Sequence, residues 1–224
     1  GVAHEFGPRP GLIDCKLGAG TENYLEVPAM TPAQCHQAIE NGAALVAGYA
    51  DKGCNVIGLG EMGIGNTASA SLLTHCLSGQ SLDVCVGRGT GLDDAGLIRK
   101  QQLLAKALKR TGEMTDPAEA LREFGGFEIA TMVGVILAAA GRRMVVLIDG
   151  FVVGAAALVA CKLYPATRDY CVYCHRSAEA GHQVLGRPHG PMPIVRTRWV
   201  YRSRTARSGS NRPSAPDEAA APAE

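Results

Sequence analysis

No stretch of the chain is apolar and uncharged for the ~20 residues that a bilayer-spanning helix requires. The nearest approach, residues 127–163, is interrupted by Arg142, Arg143 and Asp149, which argues against a membrane partner. Net charge is almost absent too: 22 Lys and Arg against 21 Asp and Glu leave +1. That balance supplies no long-range pull toward nucleic acid or a membrane surface, so the expected partner is small. No charged-then-apolar leader follows Gly1, which by itself says little because the sequence does not open on Met; the expected location, cytoplasmic, rests on the cysteines instead. The cysteines at 15, 35, 54, 76, 85, 161, 171 and 174 lack the repeating spacing of a disulfide scaffold and read as reduced thiols. Cys171, Cys174 and His175 spell C-x-x-C-H, the haem-attachment pattern, but without an export signal. No second pair stands at zinc-ligand spacing, and the two histidines and glutamate of HRSAEAGH match neither H-E-x-x-H nor a finger. The expectation is no metal and no cofactor.

What is present is enough apolar residue, 46% of 224, for one sizeable core. Short β-type runs alternate with helical ones, the pattern of a parallel sheet flanked by helices. Residues 55–59, 82–86, 144–148 and 170–173 read as strands, the third being the apolar run of a strand buried on both faces. Helical spacing runs through 31–49, 67–77, 97–111, 117–140 and 151–163, with Thr31 and Pro32 forming a good first helix start. The fold class is therefore α/β, with a Rossmann-like large domain over residues 1–186. Residues 187–212 hold seven arginines and no acidic residue, and 213–224 are Ala/Pro/acid-rich. This second segment, 187–224, reads as a disordered extension rather than a nucleic-acid-binding arm.

In parallel sheets a ligand sits beyond the carboxyl ends of the strands, where the loops converge. Three unusual loops fall there: GEMGIGNT from Gly60, GRGTGLDD from Gly87, and DGF from Asp149. Gly60, Gly63 and Gly65 permit close backbone approach, and Asn66 or Thr67 is placed to cap the next helix, whose N–H groups favour a phosphate. The loop is neither a Gly-Lys-Ser/Thr phosphate loop nor a clean G-x-G-x-x-G, so by itself it stays open between anion binding and a plain turn. Lys100 falls about two turns into a helix beginning near Asp93, within reach of a phosphate as a point charge. Asp93 and Asp94 are better placed to cap that helix than to hold Mg²⁺.

GEMGIGNTASASLL, GRGTGLDDAGLIRKQQ, LREFGGFEIATMVGVILAAAGRRMVVLIDGF and HRSAEAGH, in that order, resemble the nicotinate-nucleotide:dimethylbenzimidazole phosphoribosyltransferase family. The GVAHEF and PGLID stretches near the amino end fit as well. The resemblance covers residues 1–182 and implies a parallel α/β large domain, a smaller helical domain and a homodimer. It also implies the reaction, in which nicotinate mononucleotide gives its phosphoribosyl group to a benzimidazole-type base in cobalamin assembly. On that resemblance Glu61 faces the ribose or the bases as the catalytic carboxylate. Gly63, Gly65, Asn66 and Thr67 contact phosphoribose, and Gly89, Lys100 and Ser177 complete the phosphate cradle. Asp149, Phe151 and His175 support the cleft.

Two departures from the family pattern stand out. Family members carry a region ahead of the GVAHEF-like segment, which leaves the helical domain incomplete here. They also continue past the HRSAEAGH-like segment to a G-E-G motif whose glutamate is the expected general base, and residues 183–224 contain no such motif. The alternative expectation is thus a chain that binds nicotinate mononucleotide or a partner subunit without turnover.

Overall fold

The protein is described by a computed structural model that covers residues 2–89 and 91–174, together with Gly181 and Leu185. Helix α1 (Pro32–Ala50) opens as its sequence dictates: Thr31 accepts from the Gln34 N–H while the Gln34 side chain accepts from the Thr31 N–H, a reciprocal cap. Strand β1 (Val56–Gly58) leads through a glycine loop into α2 (Asn66–Ser78). Then come α3 (Leu82–Cys85), α4 (Asp94–Thr111), α5 (Pro117–Phe124) and α6 (Phe127–Gly141). The remainder is β2 (Val145–Ile148), α7 (Phe151–Leu163), a 3-10 helix (Pro165–Tyr170) and β3 (Cys171–Tyr173).

The sheet runs β1-β2-β3 and is parallel throughout, with Val56 opposite Val145 and Ile148 opposite Tyr173. Because the strands are parallel, the segments after Gly58, Ile148 and Tyr173 all leave from one edge. The central strand buries Val146 and Ile148, and α6 and α7 are apolar nearly all round, the property of helices packed on several sides. Helices α1 and α6 cross at two glycines. A Cβ on Gly42 would stand 2.1 Å from the Thr131 carbonyl oxygen, and one on Gly134 would stand 2.0 Å from that of Ile39. Among the described residues no helix is long and apolar enough to cross a membrane.

Two expectations are corrected. Residues 82–86 are not a strand: Leu82–Cys85 is a short helix in which Cys85 is buried while Asp83 and Val84 are exposed, so the side chains do not alternate. So short an apolar run carries too few positions to separate a period of two from 3.6. Residues 117–140 are two helices rather than one. Gly125 ends α5 in extended backbone, and a Cβ there would meet the Leu121 carbonyl oxygen at 2.4 Å; Gly126 then opens α6. The segment 187–224 lies outside the described residues.

Candidate active site

The turn from β1 into α2 is built on Gly65, whose φ of +87° belongs to glycine and which occupies the cap position of α2 without a side-chain hydrogen bond. Neither Asn66 nor Thr67 caps the helix, which corrects the sequence expectation. Asn66 is instead the first helical residue, buried, and its Nδ2 donates to the Glu61 Oε2. That contact needs Gly63 to be glycine, since a Cβ there would lie 2.8 Å from the same Asn66 nitrogen. The glycine loop therefore folds around an amide that holds a carboxylate.

One residue further into α2, Thr67 turns toward α4. The Lys100 Nζ donates to the Thr67 Oγ1 at 3.0 Å and to the Gly87 carbonyl at 3.1 Å. Gly89, at φ +59°, completes the corner: a Cβ on it would sit 3.1 Å from the Thr67 hydroxyl and 3.9 Å from the Lys100 ammonium. The second glycine loop thus reaches the first, although it follows a helix rather than a strand. Asp93 accepts from the Gly96 N–H at 2.7 Å and caps α4, while Asp94 pairs with Arg88. The capping reading of the aspartate pair holds for Asp93.

Asp149 follows β2 on the same edge of the sheet and is exposed; burial first and then the Asp149 charge raise the Cys174 thiol, which follows β3. Phe151 is buried in the main core at the start of α7, where Gly181 lies against its ring and against the Cys85 carbonyl. The structure brings Glu61, Gly63, Gly65 and Asn66 together, and Thr67, Gly89 and Lys100 together, at one end of α2. His175 and Ser177 lie outside the described residues. Cys171 and Cys174 do not converge: the first thiol donates to the Thr167 carbonyl and the second to that of Val172, both at 3.5 Å.

Sequence reasoning missed Glu128. It stands in the first turn of α6 with its carboxylate folded back over Gly126, where a Cβ would meet either oxygen at 2.7 Å. Burial raises the Glu61 pKa, the Asn66 hydrogen bond opposes this, and the nearby Glu128 charge raises it further. The available signal was the GGFE stretch, two glycines ahead of a carboxylate at a helix start.

A raised carboxylate pKa has a definite sign for stability. The unfolded chain loses the Glu61 proton at the ordinary value and the folded chain only at a higher pH. Between the two the folded state holds more protons, and raising the pH through that window costs stability. Glu61→Gln is therefore expected to melt above the wild type at pH 7, with the gap closing toward about pH 3.5, below the ordinary Glu value. Thermal denaturation at both pH values checks this, and a gap independent of pH would rule out the assigned cause.

A parallel sheet with glycine loops, a helix N-terminus, a lysine and a half-buried carboxylate at one end defines an α/β protein whose candidate site lies beyond the carboxyl ends of its strands. The chain matches the family model described as Phosphoribosyltransferase over residues 1–198, and it belongs to that family. It is 66% identical over 198 residues to the nicotinate-nucleotide–dimethylbenzimidazole phosphoribosyltransferase of Dechloromonas aromatica (strain RCB), covering 87% of this chain and 57% of that protein. Its identity to the enzyme of the same name from Aromatoleum aromaticum (strain DSM 19018 / LMG 30748 / EbN1) is 58% over 182 residues, covering 81% and 53%. Among solved structures, the crystal structure of CobT from Thermus thermophilus superposes with a TM-score of 0.79 at 38% identity, covering 83% of this chain and 56% of that one. The chain spans about half the length of the curated relatives it matches.

Proposed function

We propose that the chain transfers the phosphoribosyl group of nicotinate mononucleotide to 5,6-dimethylbenzimidazole, releasing nicotinate and giving α-ribazole 5′-phosphate. The observation that carries this reading is the meeting of Thr67, Gly89 and Lys100 beside the Glu61–Asn66 pair at the start of α2. The lysine and the first N–H groups of α2 hold the 5′-phosphate, as a charge and a helix N-terminus do for anions generally. With the phosphate fixed, the ribose C1′ lies against the carboxylate side of the loop. Breaking the pyridinium N-glycosidic bond leaves a neutral ring and develops positive charge on the sugar, which a fixed carboxylate stabilises. Glu61 takes that role. Glu128 keeps its proton affinity high, which also suits Glu61 to accept the proton that the benzimidazole sheds. Met62 and Ile64, exposed on the same loop, offer apolar surface for a flat base.

Ser177 and His175 keep their proposed places in the phosphate cradle and the cleft wall, and Asp149 and Phe151 its floor. The same reading takes the chain as cytoplasmic and homodimeric, with residues 1–186 as the catalytic α/β unit and 187–224 as an appended tail. Titration calorimetry with nicotinate mononucleotide, followed by chromatographic detection of α-ribazole 5′-phosphate after adding the base, tests it. Saturable binding with product formation is expected. Binding without product moves the assignment to the nucleotide-binding alternative, and no binding at millimolar ligand removes both.

A further inference from the structure

Arg88 stands between the two glycines that form the Lys100 corner: the Gly87 carbonyl accepts from the Lys100 Nζ at 3.1 Å, and a Cβ on Gly89 would lie 3.9 Å from that nitrogen. Its side chain reaches toward α4. There Nη1 donates to the Leu92 carbonyl at 2.8 Å, and Nη2 donates to the Asp94 carboxylate in the first turn of the helix. The Arg88 carbonyl in turn accepts from the N–H groups of Gly91 and Leu92, at 3.2 and 3.0 Å. Three of these bonds close the loop on itself, and the ion pair fastens it to the helix that carries Lys100.

We propose that Arg88 is a positioning residue for the anion site: its guanidinium, shared between the Leu92 carbonyl and Asp94, holds Gly87 and Gly89 against Lys100 and so presents the ammonium beside the start of α2. The inference rests on reading that corner as the seat of the 5′-phosphate. Gly87, Gly89 and Gly91 leave the loop wide conformational freedom, and Arg88 is its one long side chain. The anchor therefore sets where the loop lies. Both partners of the ion pair are exposed, and such pairs add little to global stability. Helix α4 also keeps its own cap, the Asp93 carboxylate on the Gly96 N–H. Removing the Arg88 side chain thus frees the loop without unfolding the chain. Arginine suits the task because it offers donors from both ends of a planar fork, whereas lysine offers them from a single nitrogen.

Titration calorimetry with nicotinate mononucleotide and with nicotinate riboside, on the full chain and its variants, tests this. Arg88→Ala is expected to bind the mononucleotide about tenfold more weakly, the loss of roughly one hydrogen bond, and to bind the riboside as the wild type does. Arg88→Lys should recover part of the loss, and the melting temperature should stay at the wild-type value. A second readout needs no nucleotide: an acetylating N-hydroxysuccinimide ester should label Lys100 faster in Arg88→Ala than in the wild type. Peptide mapping reads this against the exposed Lys106 and Lys109 of the same helix. Should Arg88→Ala fail to fold, Asp94→Asn keeps the Leu92 contact and is expected to show the same pattern at smaller size. Equal losses for mononucleotide and riboside, or unchanged Lys100 labelling, would overturn the proposal. A wild-type chain that binds no mononucleotide removes the phosphate reading alone, and the labelling then decides whether Arg88 holds the corner.

Discussion

Lys100→Met is expected to bind nicotinate mononucleotide about 30-fold more weakly than the wild-type chain, a loss of about 2 kcal/mol, the size of a hydrogen bond to a charged group. The side chains are similar in length, so the change removes the ammonium while leaving the stem in place. In the folded chain that ammonium is held by the Thr67 hydroxyl and the Gly87 carbonyl, and Gly89 leaves room beside it. These two groups are neutral, and a phosphate outcompetes them. The control is nicotinate riboside, which lacks the phosphate and should bind the variant and the wild type alike. An equal loss with the riboside would place Lys100 in loop architecture rather than at the phosphate. The wild-type advantage should also shrink with added salt, because screening weakens a point charge on an anion.

What the sequence made legible divides by range. Local chemistry was readable: Thr31 and Pro32 form the start of α1, Asp93 caps α4, and the apolar run ending at Ile148 is the middle strand, although it is not buried on both faces as expected, since Val146 and Ile148 are buried while Val145 is exposed and Leu147 half-buried. Each is settled within a few residues by capping geometry or burial. The break at Gly125 and Gly126 was hidden because apolar side chains continue on both sides of it, and only the close approach of Leu121 and Met30 explains the glycine. Asn66 looked like a cap because Asn favours caps, but a half-buried carboxylate nearby, Glu61, competes for the same amide. The site was legible as two glycine loops and a lysine. Their joining through Thr67 and Gly89, and the presence of Glu128 beside Glu61, depend on how α2, α4 and α6 pack, which no local pattern encodes.

Gly134→Val is expected to destabilise the chain by about 3 kcal/mol or more, at the upper end of overpacking costs, and to lower the melting temperature by roughly 6–12 °C. The first atom of the new side chain would fall 2.0 Å from the Ile39 carbonyl oxygen, a backbone atom that no rotamer change can move. Gly42 fixes the other half of the crossing against Thr131, so α6 cannot slide along α1 to make room. Relief requires lifting α6 away from α1 and disturbing the core that Ile129, Val133 and Ile136 form on it. The consequence reaches the site, because the first turn of α6 carries Glu128, whose charge helps to set the proton affinity of Glu61. A displaced α6 should therefore return the Glu61 pKa toward its ordinary value. Gly48→Ala is the matched control: on α1 but exposed, with nothing within 4 Å of its Cβ position, it should stabilise by about 0.5–1 kcal/mol through helix propensity alone. Thermal melts of the two variants beside the wild type check both signs, and a Gly134→Val chain as stable as the wild type would show that the two helices do not meet at these glycines.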